Sequence, residues 1–327
     1  MSGYLYSKKI RRDCYFGILT FDMILSHTSR TDRLLNTAHC VTYIDIKSAY
    51  DHAPLYKVWQ YMERKGYNTS LLQAIFNNNK IYLMNAIEFI GQIELQRGVP
   101  QGVVASPVLF DILIASFIDS LNDKQYSRID FYQYSLITYA GDIVFITRTI
   151  QQMKQLLLLF ELFLKSCSMT VSTEKCGTFH SRTLKLFDQV IPLVKEYKYL
   201  GIHLNKYGVC QKSLLVHIKK QIDIHFNTSP RKGFKNYGYF LYNASLCFKT
   251  FLRSTVHYYM RLLNQSHFHK LCSILYDYIR QYFHTHRKIS MDNSLKLLGC
   301  QSFTTRYHQA RNKTFEKVGH STTRHWK

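Results

Sequence analysis

VTYIDIKSAYDHAP (41–54) and YAGDIVFIT (139–147) are the two stretches from which the fold can be read. Each contains a short run of β-branched and aromatic residues, the composition of a buried strand. Each also carries one aspartate, Asp45 and Asp142, where a core strand is expected to hold only apolar side chains. A buried carboxylate costs several kcal/mol unless it is paired or bound to a cation. Two of them on separate strands brought side by side make a seat for a divalent metal. Oxygen ligands with open positions suit Mg²⁺ or Mn²⁺. On the residues alone, strand-end caps or salt bridges explain the same pair about as well.

Outward from these strands the chain alternates helix and hairpin signals. Asp51 is placed to cap a helix, with Pro54 in its first turn. Leu55, Val58, Trp59 and Met62 follow at helical spacing, and Gly66 closes the helix. A second helix is predicted over 69–78, and a hairpin over 80–96 with Gly91 near its turn. RGVPQGVVASP (97–107) is a loop punctuated by Gly98, Pro100 and Gly102, and an apolar helix continues to about Leu121. Two strands over 131–147 flank a tight turn at 140–142, and a helix covers 150–166. A strand pair is predicted near 176–180 and 197–204, then helices rich in Tyr, Phe, Lys and His over 211–286. The last 40 residues are polar and basic. This order predicts an α+β domain with an antiparallel sheet, followed by a helical domain.

Composition narrows the function classes. In 327 residues, 46% are apolar, which supports a folded core. Lys and Arg number 43 against 21 Asp and Glu, a net charge of +22. That excess runs along the whole chain and creates a field suited to a polyanion. The longest apolar run, LLLLFELFLK (156–165), is short and is interrupted by Glu161, so no membrane partner is expected. The N-terminal MSGYLYSKKIRRD turns basic before any apolar run, unlike a secretory signal. Eight scattered cysteines without a C-x-x-C pair read as reduced thiols of an intracellular protein.

Five segments occur in an order that resembles the reverse transcriptase family: YIDIKSAYDHAP (43–54), RGVPQGVVASPVLFDI (97–112), YAGD (139–142), STEKCGTFH (172–180) and KYLGIHLN (198–205). The non-LTR, LINE-type branch is the nearest, with group II intron enzymes next. The resemblance implies a right-hand polymerase fold with an RRM-like, antiparallel-sheet palm, partial fingers and a helical thumb. It divides the chain into partial fingers at 1–40, palm with finger insertions at 41–208, thumb at 209–290 and a basic tail at 291–327. The earlier finger motifs are not found, and the chain is expected to begin midway through the fingers. CYFGILTFDMI (14–24) resembles the stretch just before the first palm motif.

The resemblance also implies roles. Asp45 and Asp142 would be metal ligands for Mg²⁺ or Mn²⁺, with the Ile46 carbonyl beside them. Tyr50 would stack under the incoming sugar and exclude a 2′-hydroxyl. Gln101 and Gly102 would contact the template or incoming pair, and Gly98 and Pro100 would shape the loop against nucleic acid. Ser106 and Pro107 would open the next helix. Val103 stands where the family usually has serine. Lys175 matches a lysine that donates a proton to leaving pyrophosphate. Leu200 and Gly201 match the turn that grips the primer. Lys219, Lys220, Arg231, Lys232 and Lys235 would hold duplex phosphates. The partners implied are an RNA template, a DNA primer or hybrid, and deoxynucleoside triphosphates, in a nuclear or cytoplasmic ribonucleoprotein or an organelle.

One signature departs from the pattern. The family reads Tyr-Ala-Asp-Asp where this chain reads Tyr139-Ala140-Gly141-Asp142. Glycine cannot replace the ligand aspartate, and strand alternation predicts that Asp142 points away from the vacated place. Two functions therefore stand at this level: RNA-directed DNA synthesis, impaired to some degree, or a catalytically inactive, maturase-like protein that binds RNA or an RNA–DNA hybrid.

Overall fold

The computed structural model describes residues 39–77, 80–85, 88–94, 97–123, 136–139, 141–228, 246, 249–250, 253–283, 290, 293, 295–296, 299–309 and 312. The expected fingers over 1–38 and Arg231, Lys232 and Lys235 lie outside them. The chain divides into two compact units, Met1–Gly208 and Val209–Lys327.

In the first unit, strand β1 (Cys40–Asp45) leads into a short helix α1 (Ala49–His52) and then α2 (Leu55–Arg64). Helix α3 (Ser70–Asn77), the hairpin β2 (Lys80–Asn85) and β3 (Glu88–Glu94), and helix α4 (Ser106–Asp123) follow. Then come β4 (Leu136–Tyr139), β5 (Asp142–Thr147) and α5 (Ile150–Ser166). A single 3₁₀ turn, Thr173–Lys175, leads to β6 (Gly177–Thr178). Short strands β7 (Lys185–Leu186), β8 (Gln189–Val190), β9 (Tyr197–Tyr199), β10 (Ile202–Asn205) and β11 (Gly208–Val209) complete it.

The central sheet has the order β4-β5-β1-β6 and every pairing in it is antiparallel. β1 is buried along almost its whole length because a neighbour lies on each edge and helices cover one face. Ile44, Ile143 and Phe145 pack there against Phe110, Phe117 and Phe160 from α4 and α5. Thr149 starts α5 with a reciprocal capping box to Gln152. The α+β class with an antiparallel sheet therefore holds.

Four local readings change. Asp51 lies inside α1; Ser48, with left-handed backbone (φ 46°), occupies the cap position. Pro54 sits one place before α2 rather than in its first turn. Gly91 is in mid-strand opposite Leu83, beside a bulge, and not near the turn. The segments near 176–180 and 197–204 are not partners. β6 pairs with β1, while β9 and β10 pair with each other in a separate sheet of order β11-β10-β9.

The second unit contains helices α6 (Gln211–Thr228), α7 (Arg253–Met260) and α8 (Gln265–Phe283). Leu214, Ile218 and Ile222 of α6, Val256 of α7, and Leu271, Leu275 and Ile279 of α8 are buried in it. Tyr307 stacks on Phe268 at 4.0 Å and donates to the Leu263 carbonyl, tying the segment 299–309 to the bundle.

Candidate active site

The register of β1 and β5 puts Asp45 directly opposite Asp142. Opposed residues of an antiparallel pair project from the same face, so the two carboxylates are neighbours. Gly141 lies in the turn, and β5 starts at Asp142. Burial raises the pKa of Asp45, and the Lys175 ammonium partly offsets this. Burial also raises Asp142; Asp45 raises it further and Lys175 opposes. The Lys175 ammonium stands 4.0 Å from Asp45 Oδ2.

The backbone around Asp45 is held from one side by the segment that carries Lys175. Ser172 N donates to the Asp45 carbonyl (2.9 Å), and Lys47 N donates to Thr170 O (3.0 Å). The Asp45 N–H points at Cys176 Sγ (3.5 Å), whose thiol donates to Ser172 O. Burial pushes that thiol up to about 11, so it stays protonated. Tyr197 donates to the Lys175 carbonyl (2.6 Å), and its ring stacks on Tyr43 of β1 at 4.0 Å. Gly177 leaves room for that ring, because a Cβ there would meet it at 2.9 Å.

Gly141 stands at the turn between β4 and β5. Its carbonyl accepts from Ile46 N (3.3 Å). A Cβ built on it would lie 3.0 Å from Ala49 Cβ and 3.8 Å from the Ile46 carbonyl oxygen. A side chain at 141 would thus emerge next to Ile46 O, on the side of Asp45 where α1 begins.

The 97–107 loop is bolted to α1. Gly98 N donates to Ala53 O and Val99 N to Tyr50 O (2.8 Å). Gly98 has φ 89°, and a Cβ on it would meet the Asp51 carbonyl oxygen at 2.6 Å, so no other residue fits. Gly102 also has φ 89°, a demand of the turn alone. Gln101 Nε2 donates to Asp51 Oδ1 (3.0 Å), which gives Asp51 its structural work. Pro100 accepts through its carbonyl from the buried Ser106 hydroxyl, which anchors the start of α4. Val103 and Val104 are exposed on the loop.

These contacts fix Tyr50, whose ring leans on Phe110 of α4 at 5.5 Å. Burial raises the Tyr50 pKa, and Asp111 and Tyr139 add to it. Asp111 itself is pushed up to about 6 by burial. Sequence reasoning passed over Asp111, although LFDIL shows the same signal as β1, a carboxylate inside an apolar run. It also missed Cys176 and Tyr197, which act through backbone contacts that no local pattern announces.

Leu200 and Gly201, with φ 48° and 82°, form the two-residue turn joining β9 to β10. Positive φ at both positions matches the right-handed twist of a hairpin. Lys219 and Lys220 are exposed on α6, in the second unit.

The donor set fits a small divalent cation through two carboxylates and a backbone carbonyl. Among the described residues, no group of three or more His, Cys, Asp or Glu stands ready to hold a metal. The remaining coordination would have to come from substrate phosphates and water, as Mg²⁺ commonly accepts. No helix among the described residues is long and apolar enough to cross a membrane.

The family model described as reverse transcriptase (RNA-dependent DNA polymerase) matches residues 12–204. A retrovirus-related Pol polyprotein from the type-1 retrotransposable element R2 of Popillia japonica is 22% identical over 218 residues, 61% of this chain and 36% of that protein. Among solved structures, a Candida albicans telomerase is similar with a TM-score of 0.39 at 14% identity, over 96% of this chain and 54% of that one. A Candida tropicalis telomerase gives 0.44 at 12% identity, over 86% and 52%. The chain thus spans about a third to a half of the length of these relatives.

Proposed function

The chain belongs to the reverse transcriptase family, and from that premise we propose that it is the polymerase domain of a non-LTR-type retroelement protein. Its chemistry would be RNA-directed DNA synthesis at the Asp45–Asp142 site. The single observation that carries this reading is the cross-strand register of those two aspartates, with Lys175 beside them. In this reading 41–208 is the palm with its finger insertions, 209–290 the thumb and 291–327 a basic tail.

Asp45, Asp142 and the Ile46 carbonyl would hold Mg²⁺ or Mn²⁺. When bound, such ions acidify a primer 3′-hydroxyl and neutralise the charge on leaving pyrophosphate. The protein's own groups do the rest. Lys175 presents its ammonium to the same place and delivers a proton to pyrophosphate. Tyr50, whose ring leans on Phe110 and whose carbonyl is held by Val99 N, closes the space a 2′-hydroxyl would need, so deoxynucleotides are selected by a clash. The Leu200–Gly201 turn bears on the primer, and Gln101 and Gly102 bear on the incoming pair or template. Lys219 and Lys220 contact phosphates.

Gly141 withholds one carboxylate from this site. Asp142, facing Asp45, still supplies a second carboxylate, which favours an impaired polymerase over a bare scaffold. Primer extension on an RNA template, with Mg²⁺ and with Mn²⁺, tests the reading. We expect slow extension that Asp45→Ala abolishes and Gly141→Asp accelerates. No extension by the folded protein, nor by Gly141→Asp, overturns it. Extension by Gly141→Asp alone identifies an inactive protein that keeps the fold to grip nucleic acid.

A further inference from the structure

A helix of a single turn cannot hold itself together, because its ends leave backbone groups unpaired and nucleation is costly. α1 (Ala49–His52) is such a helix; it carries Tyr50, and its cap residue Ser48 makes no side-chain cap hydrogen bond. Its last carbonyls are answered by three consecutive residues of the 97–107 loop. Val99 N donates to Tyr50 O (2.8 Å), and Gly98 N donates to Ala53 O (3.1 Å). Arg97 supplies the third bond from its side chain, with Nη2 donating to His52 O at 3.0 Å.

The same nitrogen reaches a second element. Arg97 Nη2 also donates to the Cys167 carbonyl at 2.8 Å, with the Ser168 carbonyl at 3.5 Å. Cys167 caps the end of α5, where free carbonyls gather negative charge and a cation is favoured. Lys57 of α2 comes to the same helix end and donates to the Ser166 hydroxyl (2.6 Å). Burial raises the pKa of the Cys167 thiol, and Lys57, Ser166 and Arg97 oppose it. Ser168 has φ 51°, and beyond it the chain runs back beside Asp45. There Lys47 N donates to Thr170 O, Ile46 bridges to Val171, and Ser172 N donates to Asp45 O. Arg97 thus closes a ring. It runs from Asp45 through 170–172 to the end of α5, across the guanidinium to His52, and along α1 back to Asp45. Tyr50 stands on one arm of this ring, and Lys175 follows the other.

We propose that Arg97 is a positioning residue that sets how strictly the site excludes a ribose, by holding α1 and its Tyr50 ring in place against Asp45 and Lys175. The inference rests on the reading of Tyr50 as the barrier to a 2′-hydroxyl. Exclusion by a clash works only while the barrier does not yield. The Phe110 contact at 5.5 Å steadies the ring, and Arg97 steadies the backbone that carries it. Arg97 itself is exposed, so its replacement opens no cavity in the core.

The test uses the full chain with Arg97→Met, Arg97→Lys, Tyr50→Val and the Tyr50→Val/Arg97→Met double variant. Primer extension in the Gly141→Asp background gives the ratio of kcat/KM for deoxynucleotides over ribonucleotides. Where no variant extends, calorimetry with Mn²⁺ gives the matching ratio of Kd values for dATP and ATP. Arg97→Met is expected to lower the discrimination by about threefold, a share of the about tenfold expected on removing the ring. The change falls on the KM for ribonucleotides, which drops. Arg97→Lys is expected to recover part of the loss, because an ammonium keeps the charge and the donors but not the planar fork. The double variant is expected to discriminate no worse than Tyr50→Val, the non-additivity of two residues that act through one contact. Hydrogen exchange reads that contact directly: the His52, Gly98 and Val99 amides are expected to exchange about tenfold faster in Arg97→Met, with β1 unchanged. Unaltered exchange overturns the proposal. So does an unchanged ratio in Arg97→Met where Tyr50→Val relaxes it, which leaves the Tyr50 reading standing and marks Arg97 as structural. Full additivity in the double variant overturns it as well. An unchanged ratio in Tyr50→Val overturns the Tyr50 reading itself and this proposal with it.

Discussion

Two regions of this molecule crowd like charges together, and they differ in what they keep at hand to answer them. At the end of β1 two carboxylates face each other across the strands, and Lys175 stands 4.0 Å from one of them. In the second unit Arg253 acts on Arg306, and among the described residues no carboxylate answers either. A fold tolerates such crowding only at a cost, and the cost points to a counter-charge that arrives from outside. The acidic pair has one cation of its own in Lys175, so its electrostatic deficit is small.

The comparison can be broken first at position 141. Gly141→Asp is expected to raise DNA synthesis by about 10²–10³, the scale of one electrostatic group at a reacting centre. Asp45→Ala is expected to remove synthesis entirely, as read by primer extension. The new Cβ crowds Ala49 at 3.0 Å. Ala49→Gly in the Gly141→Asp background therefore recovers any melting temperature lost.

Asp111 sharpens the same contrast, because it is a half-buried carboxylate that acts on Tyr50. Its folded pKa of about 6 exceeds the ordinary 3.8, so the folded state holds the proton more tightly. That contribution is complete below about pH 3.8 and is lost as pH rises through about 6. Asp111→Asn is then expected to gain up to about 3 kcal/mol at pH 7.5 and almost nothing at pH 3.5, measured by thermal or urea unfolding. Equal effects at both pH values would show that Asp111 is not a buried charge.

Tyr50→Val is expected to relax discrimination against ribonucleotides by about tenfold or more, read from the ratio of kcat/KM values. The smallest effect is on the lysine side. Tyr197→Phe removes the hydrogen bond to the Lys175 carbonyl, worth about 1 kcal/mol. Its signature is a shifted pH profile of extension with little change in melting temperature.

Much of the site was legible because its signals are local. A carboxylate in a run of β-branched residues stands out, and that marked Asp45 and Asp142. Gly98 stood out as loop punctuation, and a Cβ there would meet the Asp51 carbonyl oxygen at 2.6 Å, which shows why. What was not legible depends on register and on distant partners. Alternation was applied to residues 141 and 142 as if both lay in a strand, yet β5 begins at Asp142. The partner of β6 is β1, more than 130 residues earlier, and nothing in CGTFH names it.

β1 is flanked on both edges, by β5 and by β6, and is buried almost throughout. Its amides are therefore expected to exchange with solvent only when the whole unit opens. Asp45 thus rides on the segment expected to open last, while Gly141 occupies a turn outside the ladder. A substitution at that turn is therefore expected to leave the protection of the β1 amides unchanged, as read by hydrogen exchange.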